Sequence, residues 1–195
     1  MGGGLSATSL YATEMEKYFK IKIDFEDDDW LSRSTSSYLP DGVLMGYTLF
    51  QIGQHVIFKH YPWGINNSII TWLNSVISDH IVPETFKMNY SNPMFYCAGA
   101  INNECGVYSD FSIRHKNGNV ILSNFYKCKV AEDLIIILPW KNWAKEIYRI
   151  GVQVLRKCPP NKLGIKKKYL KRYQKKRKEL ILLLKIVRVQ LNKRI

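Results

Sequence analysis

The sequence predicts an α+β fold, in which a mainly antiparallel sheet is packed by two amphipathic helices and followed by a long basic C-terminal helix. Three observations lead to this prediction. Several short segments alternate apolar and polar residues with period two, which is typical of strands with one buried face. Two longer segments carry apolar residues at three- and four-residue steps, which is typical of helices. The dipeptide Asn117-Gly118 predicts a hairpin, because a type I′ turn requires positive φ at both central positions.

The first half of the chain supplies three predicted strands and one helix. Alternation that starts at Tyr18 predicts the strand that opens the domain. The apolar stretch from Val43 to Tyr61 favours two short strands with a bend, because glycines inside it weaken a helix. The pair Asn67-Ser68 supplies N-cap candidates for an amphipathic helix that ends before Pro83.

The second half supplies further strands and another helix. Residues 94–101 and 107–114 favour strands, and the second of these leads into the hairpin turn. The apolar run from Leu134 to Leu138 predicts a strand that is buried on both faces. A second amphipathic helix follows directly, with Trp143 on its apolar face, and Cys158-Pro159-Pro160 stops it.

The charge is distributed unevenly along the chain. The net charge is +13, but residues 1–156 hold 14 basic and 15 acidic side chains, whereas residues 157–195 hold 15 basic and 1 acidic. The first part is therefore nearly neutral, and the second part carries a net charge of +14. This change in charge predicts that a basic helical tail at 165–195 is separate from a globular domain at 15–158. A flexible leader at 1–14 and a linker at 159–164 complete the predicted division of the chain.

Lysine and arginine fill nine of the thirteen positions from Lys166 to Lys178. A helix of this kind binds nucleic acid through phosphate contacts, lies on an anionic membrane surface, or docks on its own domain with a solvated basic face. The nucleic-acid interpretation assigns binding to Lys166, Lys167, Lys168, Lys171, Arg172, Tyr173, Lys175, Lys176, Arg177 and Lys178, with Tyr173 stacking on exposed bases.

Apolar residues in the second half of the tail predict a seam along one face of its helix. The seam consists of Leu180, Leu184, Val187 and Leu191, which step by four, three and four residues. We expect this seam to dock on the domain or on a second copy of the chain, and self-association through it stays open here.

Four carboxylates in a row follow the first predicted strand. Glu26, Asp27, Asp28 and Asp29 stand beside Trp30. Neighbouring carboxylates repel one another, and a cationic partner relieves that repulsion. We expect this segment to bind a protein partner with Trp30 as a buried anchor. A solvated turn neutralised by nearby lysines is the alternative, and calcium is less favoured because the EF-hand ligand spacing is absent.

The sequence contains no motif that identifies a reaction, such as a Gly-rich phosphate loop or a metalloprotease helix. Cys105 and His115 are ten residues apart, which on an extended strand separates them by over ~30 Å. We therefore expect a non-enzymatic protein with no cofactor and no metal site. A secretory signal and a transmembrane stretch are not evident, so we expect a cytoplasmic protein with free thiols.

The layout from Tyr18 to Leu155 resembles the small α+β immunity proteins of bacterial toxin and contact-dependent inhibition systems. The resemblance covers an Asn-Gly hairpin, a buried strand, a closing Trp-bearing helix and the acidic segment. It implies a protein that binds a toxin domain and blocks its active site or substrate channel. The basic tail has no counterpart in this family.

Overall fold

The computed structural model describes residues 19–25, 45–82, 94–96, 108–158 and 167–193. Seven strands and three helices lie within these ranges. The strands are β1 (Lys20–Phe25), β2 (Met45–Ile52), β3 (His55–Gly64), β4 (Phe95–Tyr96), β5 (Tyr108–Lys116), β6 (Asn119–Tyr126) and β7 (Ile136–Pro139), and the helices are α1 (Ile65–Ile77), α2 (Trp140–Lys157) and α3 (Lys167–Lys193).

The strands form two antiparallel sheets, and the α+β prediction is confirmed. One sheet has the order β1-β2-β3, and the other consists of β5, β6 and β7 extended by the two-residue strand β4. The described chain therefore divides its strands between two sheets, where the sequence suggested one. Each sheet is built mainly from neighbouring strands in sequence, which short connections favour.

The first sheet follows the alternation seen in the sequence. In β1, Ile21 and Ile23 are buried while Lys20 and Lys22 are exposed. The apolar stretch that follows forms β2 and β3, as predicted, and the bend between them lies at Gly53, whose φ of 57° suits glycine.

The hairpin prediction is confirmed. Asn117 and Gly118 have φ values of 51° and 76°, and Lys116 pairs with Asn119 at the closing position between β5 and β6. Positive φ at both central positions matches the right-handed twist of the strands on either side.

The strand β7 differs from its prediction. It lies at the edge of its sheet and pairs only with β6 among the described strands. Ile136 and Leu138 are buried, but Ile135 is 63% exposed and Ile137 is 51% exposed. The prediction that both faces are buried was wrong, because an apolar run alone does not distinguish a central strand from an edge strand.

The boundaries of α1 also differ from the sequence prediction. The helix begins at Ile65, after Gly64, without a side-chain cap, so Asn67-Ser68 does not form the N-cap. Ser68 is instead buried within the first turns. The helix ends at Ile77, and His80 lies beyond it in an isolated antiparallel bridge to Ile113.

Aromatic side chains join the two sheets to α1 and α2. The ring of Phe50 lies 5.6 Å from that of Phe111, 6.0 Å from that of Trp72 and 6.3 Å from that of Trp143, measured between centroids. The indole N–H of Trp140 donates to the carbonyl oxygen of Val76 at 2.9 Å. The buried indole is thus satisfied, and α2 is held against the end of α1.

Candidate functional site

The inner face of α3 is part of the core. Its buried residues pack with α1 and α2 and are Tyr173, Leu180, Leu183, Leu184 and Val187. A Cβ atom added to Gly151 of α2 would lie 2.9 Å from Leu184 and 3.4 Å from Leu73 of α1, so the three helices meet at this glycine. The predicted seam therefore docks on the protein's own domain.

This packing selects one of the two predicted partners of the seam, the chain's own domain, over a second copy. Leu180, Leu184 and Val187 are buried within one copy of the chain, and Leu191 is half-buried against the same core. A second copy cannot contact them without displacing α3 from the domain. The predicted apolar face of this helix is confirmed, but the spacing of apolar residues alone does not determine which surface covers that face.

The outer face of α3 presents lysines and aliphatic side chains in one line. The exposed residues at three- and four-residue steps are Lys171, Lys175, Lys178, Leu182, Ile186, Val189 and Lys193. Residues at this spacing share a helix face. The line is cationic from Lys171 to Lys178 and aliphatic from Leu182 to Val189, and Lys193 ends it.

Carboxylates do not neutralise this face within the described residues. The helix contains eleven Lys or Arg residues and one acidic residue, Glu179. None of the ion pairs that join described residues involves a cation of α3. The exposed cations of this helix therefore have no carboxylate partner among the described residues, and salt screens such exposed charges at longer range.

Two residues of the predicted nucleic-acid surface have structural contacts instead. Tyr173 is 6% exposed, and burial raises its pKa to about 12. Its ring cannot stack on a base, so that part of the prediction was wrong. Arg177 donates from Nε to the carbonyl oxygen of Cys158 at 2.7 Å, which ties α3 to the C-terminal end of α2.

The remaining cations of that prediction lie on the exposed surface or outside the described side chains. Lys167, Lys171, Arg172, Lys175 and Lys178 are exposed, and Lys176 is half-buried. The position of Lys166 lies outside the described residues, as does the side chain of Lys168. Five cations of the predicted nucleic-acid surface are thus exposed within the described residues.

The predicted acidic site, Glu26 to Trp30, lies outside the described residues. The strand that precedes it is fixed to α2. The backbone N–H of Ile21 donates to Oε1 of Glu146 at 3.1 Å, and Nη2 of Arg149 donates to the carbonyl oxygen of Ile21 at 2.6 Å. Arg149 also pairs with Glu146, and this hydrogen bond raises the arginine's pKa. The edge of β1 is therefore covered at Ile21 by two charged side chains.

A buried polar cluster surrounds Asp110 on β5. Oδ1 of Asp110 accepts from the N–H groups of Met94 and Phe111 at 3.2 and 2.8 Å, and it lies 2.9 Å from Nε2 of His80. Oδ2 is also buried and has no hydrogen-bond partner among the described residues. The sequence placed Asp110 on the polar face of an alternating strand, so its burial was missed.

A second histidine and aspartate pair lies near the first. The Nδ1 and backbone N of His115 both lie 2.9 Å from Oδ1 of Asp79, and the backbone hydrogen bond lowers the pKa of that carboxyl. Asp79 and His80 are neighbours, and both partner residues lie on β5. The two pairs therefore hold the segment after α1 against the edge of β5, on either side of the bridge between His80 and Ile113.

Cys128 is not suited to nucleophilic chemistry. Its thiol is half-buried and donates to the carbonyl oxygens of Asp110 and Tyr126, each at 3.5 Å. Burial, followed by the charges of Asp110 and Glu132, raises the pKa of the thiol far above its ordinary value. The reactive thiolate is thus disfavoured at this position.

The described part of the chain has neither a metal-binding cluster nor a membrane-spanning helix. His, Cys, Asp and Glu side chains do not come together there in the groups of three that hold a metal ion. Its helices also contain no apolar stretch of the length that a bilayer crossing needs.

No protein-family model, no curated protein and no solved structure matches this chain. The resemblance to immunity proteins therefore stays a prediction. Function has to be inferred from the charge, exposure and contacts of the residues themselves.

Proposed function

We propose that this protein is a non-enzymatic binding protein that holds nucleic acid on the outer face of α3. The observation that supports this most is the line of exposed lysines at 171, 175 and 178 on a helix whose opposite face is fixed to the domain. A rise of 1.5 Å per residue separates Lys171 from Lys178 by about 10 Å along the axis. That distance corresponds to about three phosphates of one duplex strand.

Binding of this kind depends on counterion release. Each lysine that neutralises a phosphate releases a condensed cation, so affinity falls as salt concentration rises. Phosphate contacts carry no sequence information of their own. Because Tyr173 is buried, the described surface offers no aromatic ring on this helix face to stack on bases. We therefore expect binding that is salt-dependent and indifferent to sequence.

The experiment compares two variants that lose the same charge. Lys171→Gln/Lys175→Gln/Lys178→Gln removes the cationic line, and Lys59→Gln/Lys116→Gln/Lys129→Gln removes three exposed lysines outside α3. Binding to a labelled duplex is followed by fluorescence anisotropy over a salt titration. The first variant is expected to reduce the slope of log K against log salt by about 3, at about 0.9 per phosphate contact, and the second to leave it unchanged.

Three results would contradict the proposal. One is affinity that does not change with salt, and another is an equal loss in both triple variants, which indicates an effect of net charge alone. The third is binding to anionic lipid vesicles without binding to duplex, because the exposed Leu182, Ile186 and Val189 suit a membrane surface better than a phosphate backbone.

The acidic segment supports a second candidate function, that of an immunity protein. Its position directly after β1 favours this, because Glu146 and Arg149 fix the strand from which the segment extends. A fixed strand reduces the conformational entropy that is lost when a partner binds beside it. The carboxylates of Glu26 to Asp29 would meet a cationic site on the toxin, with Trp30 as the anchor.

Protection of growth tests this second candidate. Asp27→Lys/Asp28→Lys is expected to abolish protection against a toxin encoded beside this chain's own gene, because the reversed charges repel a cationic site. The matched variant Asp41→Lys/Glu132→Lys reverses two charges elsewhere and should protect fully. Equal protection by both variants would exclude the acidic segment as the binding site.

A further inference from the structure

The edge of β7 offers unpaired backbone groups beside exposed apolar side chains. β7 is the last strand of its sheet, and no described residue pairs with its outer edge. Ile137 of this strand and Ile135, which directly precedes it, are both more than half exposed. Natural proteins usually cover or charge such an edge, because it is a template for pairing with another strand.

The ladder with β6 determines which backbone groups point outward. The N–H of Trp140 donates to the carbonyl oxygen of Gly118 at 2.9 Å, one position beyond the register pair of Asn119 and Pro139. Hydrogen-bonded and non-hydrogen-bonded pairs alternate along an antiparallel ladder. Leu138 therefore directs its N–H and C=O groups toward β6, and Ile137 directs its own toward the free edge. The backbone of Pro139 also faces outward. Its missing N–H therefore removes no hydrogen bond between β6 and β7.

We infer that a second copy of this chain pairs with β7 in antiparallel orientation, about a two-fold axis that passes between the two Ile137 residues. In this register the two Ile137 residues exchange both backbone hydrogen bonds. The N–H of Ile135 in each copy meets the carbonyl oxygen of Pro139 in the other. The interface is isologous, so the same edge serves both copies and the assembly closes as a dimer.

Charges at the two ends of the strand favour a second copy over an unrelated strand. Glu132 and Asp133, both exposed, precede β7, and Lys141 follows it at the start of α2. Asp133 and Lys141 stand at equal distances in sequence from Ile137. Antiparallel pairing brings the acidic end of one copy toward the basic end of the other, and it does so twice. The dimer uses neither the α3 seam nor the cationic face, so it is independent of nucleic-acid binding.

A charge-swap series tests the dimer by sedimentation velocity over a wide range of protein concentration. The natural chain is expected to dimerise, and Asp133→Lys is expected to weaken dimerisation at least tenfold. The double variant Asp133→Lys/Lys141→Asp should restore it, because the swapped charges complement one another again. A monomeric natural chain, or a double variant no stronger than Asp133→Lys, would overturn the inference.

Two changes at Ile137 separate backbone pairing from simple apolar contact. Ile137→Pro removes the outward N–H without removing a bond to β6, and it should abolish the dimer. Ile137→Thr keeps the N–H and should still dimerise. Circular dichroism verifies that each variant is folded. A dimer that persists in folded Ile137→Pro would refute the proposed register, and if that variant does not fold, the charge-swap series decides alone.

Discussion

Asp110 accepts hydrogen bonds from the backbone of Met94 and Phe111 and contacts His80, so one carboxylate oxygen joins three segments of the chain. The residue is fully buried, and no described group donates to its second oxygen. A buried carboxylate with one satisfied oxygen stabilises the fold only as long as its donors stay in place. The cluster therefore fixes the segments on either side of β5.

Replacing Asp110 separates its two roles as acceptor and as charge. Asp110→Ala leaves two backbone N–H groups unsatisfied and is expected to lower the free energy of unfolding by about 3–5 kcal/mol. Asp110→Asn keeps an acceptor at Oδ1 and should cost roughly half as much. Urea unfolding followed by tryptophan fluorescence measures both. Equal losses in the two variants would show that the charge, and not the acceptor, is the important property.

The burial of Tyr173 is expected to lower the free energy of unfolding at high pH. Its pKa rises from 10.0 to about 12 because burial disfavours the ionised ring. A group whose pKa is raised by folding makes its full contribution to the free energy of unfolding below its unfolded pKa. The contribution of Tyr173 is therefore present below pH 10 and is lost as the pH rises toward 12. At about 1.4 kcal/mol for each pKa unit, the loss is about 2–3 kcal/mol.

The variant Tyr173→Phe is the control for this titration. It keeps the ring but removes the ionising hydroxyl, so its unfolding free energy should fall less steeply above pH 10 than that of the natural chain. The difference between the two pH profiles isolates this one tyrosine from the others. Parallel profiles over that range would contradict the assigned burial of Tyr173.

The three helices are held together at Gly151, where the α2 backbone lies close to Leu184 and Leu73. Gly151→Ala gains about 1 kcal/mol of helix propensity but forces the end of the Leu184 side chain to move by a few tenths of an ångström. These effects nearly cancel, and the free energy of unfolding should change by less than about 1 kcal/mol. Gly151→Leu cannot be accommodated in this way and should destabilise the protein by at least about 3 kcal/mol. Thermal unfolding distinguishes the two, and a tolerated leucine would show that α3 packs loosely on α2.

Elements with local signals were predictable from the sequence. The alternation of β1 and the positive φ values of Asn117-Gly118 depend on residues that are adjacent in the chain, so the sequence was sufficient. The edge position of β7 was not predictable, because it depends on which strands pair with it. The same holds for Asp110, whose burial is caused by the segment that carries His80.

The proposed nucleic-acid site was also predictable only in part. The cationic line on α3 follows from helical periodicity, and its exposed lysines were among the residues predicted to bind nucleic acid. The burial of Tyr173 and the anchoring of Arg177 were missed, because both result from contact with α2 and its end at Cys158. Sequence period places residues on a helix face but does not determine what lies against that face.

At the scale of the whole molecule, the basic helix and the neutral domain share one core. Leu180, Leu184 and Val187 of α3 belong to the same buried cluster as the aromatic residues of both sheets. Most of the net charge of +14 at residues 157–195 therefore lies on α3, which holds eleven basic residues and one acidic residue and which the domain needs for burial of its apolar surface. The change in charge along the chain does not mark the end of the core.

Removing residues 162–195 is expected to destabilise the whole protein. The deletion exposes the surfaces of α1 and α2 that α3 covers, including Leu73 and the region around Gly151. Loss of five buried apolar side chains at about 1.5–3 kcal/mol each would remove about 8–15 kcal/mol, which is comparable to the whole typical stability of about 5–15 kcal/mol for a domain. The truncated chain should bind a hydrophobic dye and lose its cooperative urea transition, whereas the full-length variant Lys171→Gln/Lys175→Gln/Lys178→Gln should keep both properties of the natural chain. A truncated chain that unfolds cooperatively at the same urea concentration would show instead that α3 is an accessory arm on an independent domain.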